Sequence, residues 1–181
     1  DQRRVIFSQR KEVMNSKKIF DYSNEFLSEI VDSLLILKNQ QLSNPKNKEF
    51  NNKLKILSGK SFDDKEIEDL INLKDDEFKE KINLKFLDSR NERIKFLDKP
   101  KAEEIEKRIF LQSIDLNWKS HIQYLEQLRQ VIGLRSYGQR DPLVEYKREA
   151  FDLFENLLEK LKTEFINILF NLKIVQEPVP I

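Results

Sequence analysis

The stretch Leu134-Arg135-Ser136-Tyr137-Gly138-Gln139-Arg140-Asp141-Pro142 holds the residues best suited to contact chemistry: one phenol between two guanidinium groups. A tyrosine ring buries a large area with few rotatable bonds and tolerates varied neighbours, which suits gripping a chain of arbitrary sequence. Arg135 and Arg140 could hold it beside an acidic or carbonyl-lined surface. A plainer reading stands beside this one, in which Tyr137 is a turn residue whose ring covers Leu134. His121 is the single histidine, so a two-histidine metal site within one chain is excluded and any Ser-His-Asp triad would have to use it. Its position in mid-helix, three residues after Trp118, favours packing or a hydrogen bond at a helix interface. Gly59-Lys60-Ser61 imitates the end of a phosphate-binding loop, but that motif needs a glycine where Leu54 stands, and a strand before it. Nucleotide binding there is rejected. The carboxylates are spread over helix surfaces, as in Glu103 near Lys107 and Glu155 near Lys160, where they pair with cations.

The elements that must position Tyr137 are long helices. Leu111, Ile114, Trp118, Ile122, Leu125, Leu128 and Ile132 recur at steps of three and four before the stretch. Leu143, Tyr146, Ala150, Leu153, Leu157, Leu161, Phe165, Ile168 and Leu172 do so after it. Gly133 and Gly138 supply stop and turn chemistry. Asp141-Pro142 is an N-cap followed by proline at the first helical position. The expected result is a helical hairpin over 102–132 and 142–173, the second helix roughly 45 Å long at about 1.5 Å per residue. Trp118 is read as filling the hairpin core. Upstream, Val5, Ile6, Gln9 and Val13 mark one helical face. Phe26, Leu27, Ile30, Val31, Leu34 and Leu35 mark a second, which Asn44-Pro45 ends. Whether the two are one helix or bend near Asn15-Ser16 is open. Shorter helices follow. Phe50, Leu54 and Leu57 precede Ser58-Gly59. Asp63 with Glu66 forms a capping box before Ile67, Leu70 and Ile71. Asp75 is expected to cap a helix carrying Phe78, Ile82, Phe86, Ile94 and Leu97, and Lys99-Pro100 to end the region. Glu177-Pro178-Val179-Pro180 is incompatible with helix and should fray.

Composition narrows the class. The 181 residues can bury a real core; 39% are hydrophobic, 36% charged, and only 3 are glycine, which favours an all-α fold: a long antiparallel hairpin plus a lobe of shorter helices. A formal net charge of +1 argues against general affinity for nucleic acid, despite the arginines near the N-terminus. With no cysteine there is no disulfide framework or thiolate metal site. Leu34 to Leu37, the longest apolar run, is far short of the ~20 residues that span a bilayer. No signal peptide is visible, and the chain opens at Asp1 inside a helical pattern, so it is expected to be a fragment of a larger protein.

Residues 134–151 closely resemble the two-helix finger of SecA, the motor ATPase of bacterial protein export. Residues 111–121, with Trp118, Lys119 and His121, are similar to the first finger helix of that family. Residues 1–10 are similar to the close of its central scaffold helix, and the three matches fall in the family's order. Gly133, Ser136 and Gly138 depart from the family's usual types but leave the tyrosine and the Arg-Asp-Pro cap in place. The resemblance implies four parts: the end of the scaffold helix at 1–16, the helical wing at 17–101, the finger at 102–175 and a tail at 176–181. It implies that Tyr137, with Leu134, Arg135, Gln139 and Arg140, contacts the SecY channel and the unfolded preprotein. It implies that Trp118, His121 and Leu125 belong to a surface that restrains the motor. ATP and magnesium would be bound by the remaining SecA domains, with no cofactor, catalytic residue or metal site in this fragment and no specific nucleic acid as partner. The parent would be cytoplasmic and peripheral on the inner membrane. A helical interaction scaffold or coiled-coil adaptor, suggested by the heptad-like stripe from Leu143 to Leu172, is the alternative.

Overall fold

The computed structural model describes residues 1–15, 18–59, 61–135 and 141–173, and all secondary structure among them is helical. The helices are α1 (Gln2–Asn15), α2 (Ile19–Ser43), α3 (Glu49–Ser58), α4 (Asp64–Ile71), α5 (Asp75–Leu97), α6 (Lys99–Arg135) and α7 (Pro142–Asn171). None is long and apolar enough to cross a membrane. The chain divides into two compact units, each of which draws on α6 and α7.

The first unit joins Asp1–Ser16 to Arg108–Lys162. Here α6 and α7 run antiparallel: His121 meets Phe154, while Ile122 and Leu125, further along α6, share a hollow with Tyr146 and Ala150, further back along α7. The buried apolar positions are Phe110, Ile114, Leu128 and Ile132 on α6, and Ala150, Phe154, Leu157 and Leu161 on α7. The face of α7 is the expected one at Ala150, Leu157 and Leu161, but Phe154 rather than Leu153 fills it between them, and Leu143 is exposed. α1 buries Ile6 and Val13, whereas Val5 is exposed. α6 does not stop at Gly133 but runs through it to Arg135. At the start of α7, Asp141 caps as expected, its carboxylate accepting from the Leu143 amide at 3.0 Å.

The second unit joins Lys17–Lys107 to Thr163–Ile181. α2 packs on α3 and α5, burying Leu27, Val31 and Leu34 together with Phe50, Leu54, Phe78, Ile82 and Phe86. Phe50 lies 5.7 Å from Phe78, and Phe86 lies 5.4 Å from Phe170. α2 ends at Ser43, before Asn44-Pro45, as the restriction on residues preceding proline requires. Asp63 caps α4 by accepting from the Glu66 amide at 2.8 Å. Asp75 does not cap α5. Lys74 occupies that position without a side-chain bond, and Asp75 sits in the first turn, where its charge favours the helix N-terminus. The α5 stripe departs from the apolar one expected, for after Phe86 it buries Arg90 and Arg93 rather than Ile94 and Leu97.

Lys99-Pro100 opens α6, just after the last of the shorter helices ends at Leu97. A single residue, Asp98, separates α5 from α6, with φ 69° and ψ 165°. Its carboxylate accepts from the Lys101 amide at 3.1 Å, which caps α6 at the cost of a backbone conformation that non-glycine residues rarely adopt.

Candidate functional site

In the first unit one side chain of α1, that of Gln2, bridges both α6 and α7. Gln2 Nε2 donates to the Ala150 carbonyl at 3.1 Å, which leaves its Oε1 facing His121 Nε2 at 2.8 Å. An amide oxygen only accepts, so Nε2 of the imidazole carries the proton. His121 is 4% exposed, and burial lowers its pKa below the usual histidine value. The ring is held neutral between two others: Trp118 at 5.5 Å and Phe154 at 5.8 Å. Its Nε2 partner is an amide rather than a carboxylate, so the arrangement does not build a Ser-His-Asp relay around it. Among the described residues no group of His, Asp and Glu is placed to hold a metal ion.

Trp118 is only half-buried and lies between two open hollows. One, of about 430 Å³, is lined by Ile6, Phe7 and Met14 of α1 with Asp115 and Trp118 of α6. At its edge Arg10 holds Asp115 through two bonds of 3.0 and 3.3 Å, and this contact raises the Arg10 pKa above its ordinary value. The second hollow places Trp118 beside Ile122, Leu125, Tyr146 and Ala150. Leu125 is half-buried too. Of the three residues assigned to a partner-facing surface, His121 is inside and the other two border accessible apolar space. The roles of Gln2, Arg10 and Asp115 escaped the sequence reading, because a polar residue on a helix gives no periodic signal of what it bridges.

The other candidate residues lie within 136–140 or just before it. Tyr137, Gln139 and Arg140 lie outside the described residues, as does the Arg135 side chain. Leu134, in the last turn of α6, is 74% exposed, as are Leu143 (59%) and Val144 (60%) in the first turn of α7. The ends that lead into Tyr137 thus carry apolar side chains in solvent.

Gly59, in the phosphate-loop imitation, closes α3 at φ 57° instead of opening a helix. A side chain there would strike Asn171, whose amide, with that of Asn167, covers the Leu57 carbonyl. Lys60 lies outside the described residues. The glycine thus sits at a helix C-terminus, where its lack of a side chain admits Asn171, and not at the helix N-terminus that a phosphate cradle uses.

A family model for the SecA wing and scaffold domain matches residues 1–173. The chain is 74% identical over 178 residues to the protein translocase subunit SecA of Pelagibacter ubique, covering 98% of this chain and 21% of that protein. It is 36% identical over 177 residues to that of Caulobacter vibrioides, covering 96% and 19%, and 36% identical over 181 residues to that of Thermodesulfovibrio yellowstonii, covering 97% and 19%. The chain spans about a fifth of the length of these relatives.

Proposed function

The chain belongs to the SecA family, and on that premise we propose that it supplies the wing and the two-helix finger of a protein translocase motor. The finger is the α6–α7 pair, and its working end is Tyr137 with Leu134, Arg135, Gln139 and Arg140. These residues engage the SecY channel and the unfolded preprotein. The wing is the lobe of shorter helices over 17–101, and residues 1–16 end the scaffold helix. ATP and magnesium bind in other parts of the longer protein, and their turnover is coupled to movement of the finger. The whole protein works in the cytoplasm and on the cytoplasmic face of the inner membrane, with no specific nucleic acid as partner.

The observation that carries this reading is the family match over 173 residues together with 74% identity to a translocase subunit. Two further features support it. Leu134, Leu143 and Val144 put apolar surface beside the tip, where a passing chain needs contacts indifferent to sequence. Trp118 and Leu125 border open hollows, so a surface that restrains the motor has apolar side chains with which to make contact.

The test is Tyr137→Ala in the full-length protein. Preprotein transport should fall by at least about tenfold, the scale of losing one central aromatic contact, while ATP hydrolysis persists. Transport at the parent level would overturn the assignment of Tyr137. The 181-residue chain alone should not turn over ATP, and measurable turnover would contradict placing the nucleotide sites elsewhere.

A further inference from the structure

The second unit contains a buried ionic junction unrelated to the tip. Glu106 of α6 is 0% exposed, and Arg90 and Arg93 of α5 are 4% and 2%. Glu106 Oε1 accepts from Arg90 Nε at 3.1 Å and Arg93 Nη2 at 3.2 Å. Its Oε2 accepts from Arg90 Nη2 at 3.4 Å and lies 2.9 Å from Ser23 Oγ of α2. The carboxylate is filled, but two guanidinium groups face a single negative charge. An uncompensated buried cation is strongly unfavourable, so the surplus must be met elsewhere.

The two arginines meet it differently. Arg90 donates to Asn24 Oδ1 at 2.9 Å and lies over the faces of Phe20 and Phe86, 4.2 and 4.9 Å from their centroids, where ring quadrupoles attract a cation. Arg93 has no ring. Its Nη1 donates to Ser89 Oγ at 2.9 Å and to the Leu169 carbonyl at 3.1 Å. Leu169 lies in the last turn of α7, whose carbonyls lack intrahelical partners and form the negative pole of the helix. The Arg93 Nε is buried with no acceptor among the described residues, and burial lowers the Arg93 pKa. Arg93 therefore depends on its two outer nitrogens. Ser89 Oγ and Ser61 Oγ also donate to this helix end, to the Leu169 and Phe170 carbonyls.

We propose that the Arg90–Glu106–Arg93 junction is a latch for the C-terminal end of α7: the carbonyl pole of that helix supplies the negative charge that Glu106 alone cannot. Withdrawal of the last turn of α7 would leave a buried cation short of a partner. A shift by one residue would carry the Leu169 carbonyl off Arg93. The end of α7 is thereby docked in one register or released, with no stable position between. Apolar packing by Phe165, Leu169 and Phe170 alone would permit gradual loosening.

The test uses the 181-residue chain, with hydrogen exchange along α7 and α2 and thermal unfolding. Arg93→Lys keeps a positive charge but loses the fork that spans Glu106 and Leu169. Exchange across Asn167–Asn171 should rise at least about tenfold, while that of Leu27–Leu35 changes less than about threefold. Unchanged exchange at Asn167–Asn171, or equal acceleration in both segments, would overturn the latch. If Arg93→Lys fails to fold, the triple variant Arg90→Met, Arg93→Met, Glu106→Leu decides. Apolar replacement of a whole buried ion cluster is tolerated in other proteins. The triple variant should fold cooperatively and still show the faster exchange at the end of α7. Parent-like protection there, or a triple variant that does not fold, would reject the proposal.

Discussion

His121 and Asp98 each hold a conformation or charge state that their surroundings impose. Burial depresses the His121 pKa, so the folded chain resists protonation that the unfolded chain accepts. Its contribution to stability is present above the unfolded value of about 6.5 and is lost as pH falls below it toward the lower folded value. The expected outcome is a drop in Tm between pH 7 and pH 5 that is smaller in His121→Gln, whose amide can still donate to Gln2; equal slopes would contradict it. Asp98 trades a strained backbone for a helix cap. Asp98→Gly should stabilise the chain by about 1 kcal/mol, since relief of a positive-φ residue exceeds the few tenths lost with the cap. Denaturant unfolding measures this, and a loss of stability would show the cap to be dominant. Arg10–Asp115 is exposed and screened, so Arg10→Ala should cost no more than about 1 kcal/mol. Local chemistry was legible where a rule acts within four residues: the caps at Asp63 and Asp141 follow from sequence alone. Asp98 was not, because its carboxylate acts across a one-residue link that Lys99-Pro100 disguised as a terminus.

At the scale of helices, periodicity located the long elements and most of their buried positions, such as Leu27, Val31 and Leu34 on α2 and Ile114, Leu128 and Ile132 on α6, and missed others. Leu153 and Phe154 compete for the same face of α7, and spacing cannot choose between neighbours; the larger ring fills the space beside His121. In α5 the pattern Phe78, Ile82, Phe86 continues at the same spacing to Arg90 and Arg93. Hydrophobicity hides such positions, although the interval of four and then three residues marks them. Glu106, between Ala102 and Phe110 on α6, shows the same signature, and read together the three groups leave one positive charge in surplus. Gly133 was taken for a stop, but α6 continues for two more residues. A side chain at Gly133 would meet nothing within 4 Å, so Gly133→Ala should stabilise by about 0.5–1 kcal/mol. Asp141→Ala should destabilise by about 1 kcal/mol through loss of the α7 cap. If Gly133→Ala instead lowered Tm, α6 would require a bend there.

For the whole molecule, the family was legible from short runs at 1–10, 111–121 and 134–151, since the tip, its cap and the Trp118–His121 pair are local in sequence. The inner order of the shorter helices was not, because it rests on contacts such as Asn167 with Leu57 that join residues 110 apart. The central claim concerns Tyr137 in the intact translocase. Its most direct test puts a photo-crosslinking amino acid at Tyr137 of the full-length protein, with channel-containing membranes and a stalled secretory substrate, and a control probe at Lys60. The account predicts crosslinks from position 137 to the substrate or the channel, and none from position 60. Crosslinks confined to the protein itself would contradict it and leave Tyr137 as a packed turn residue in a helical scaffold.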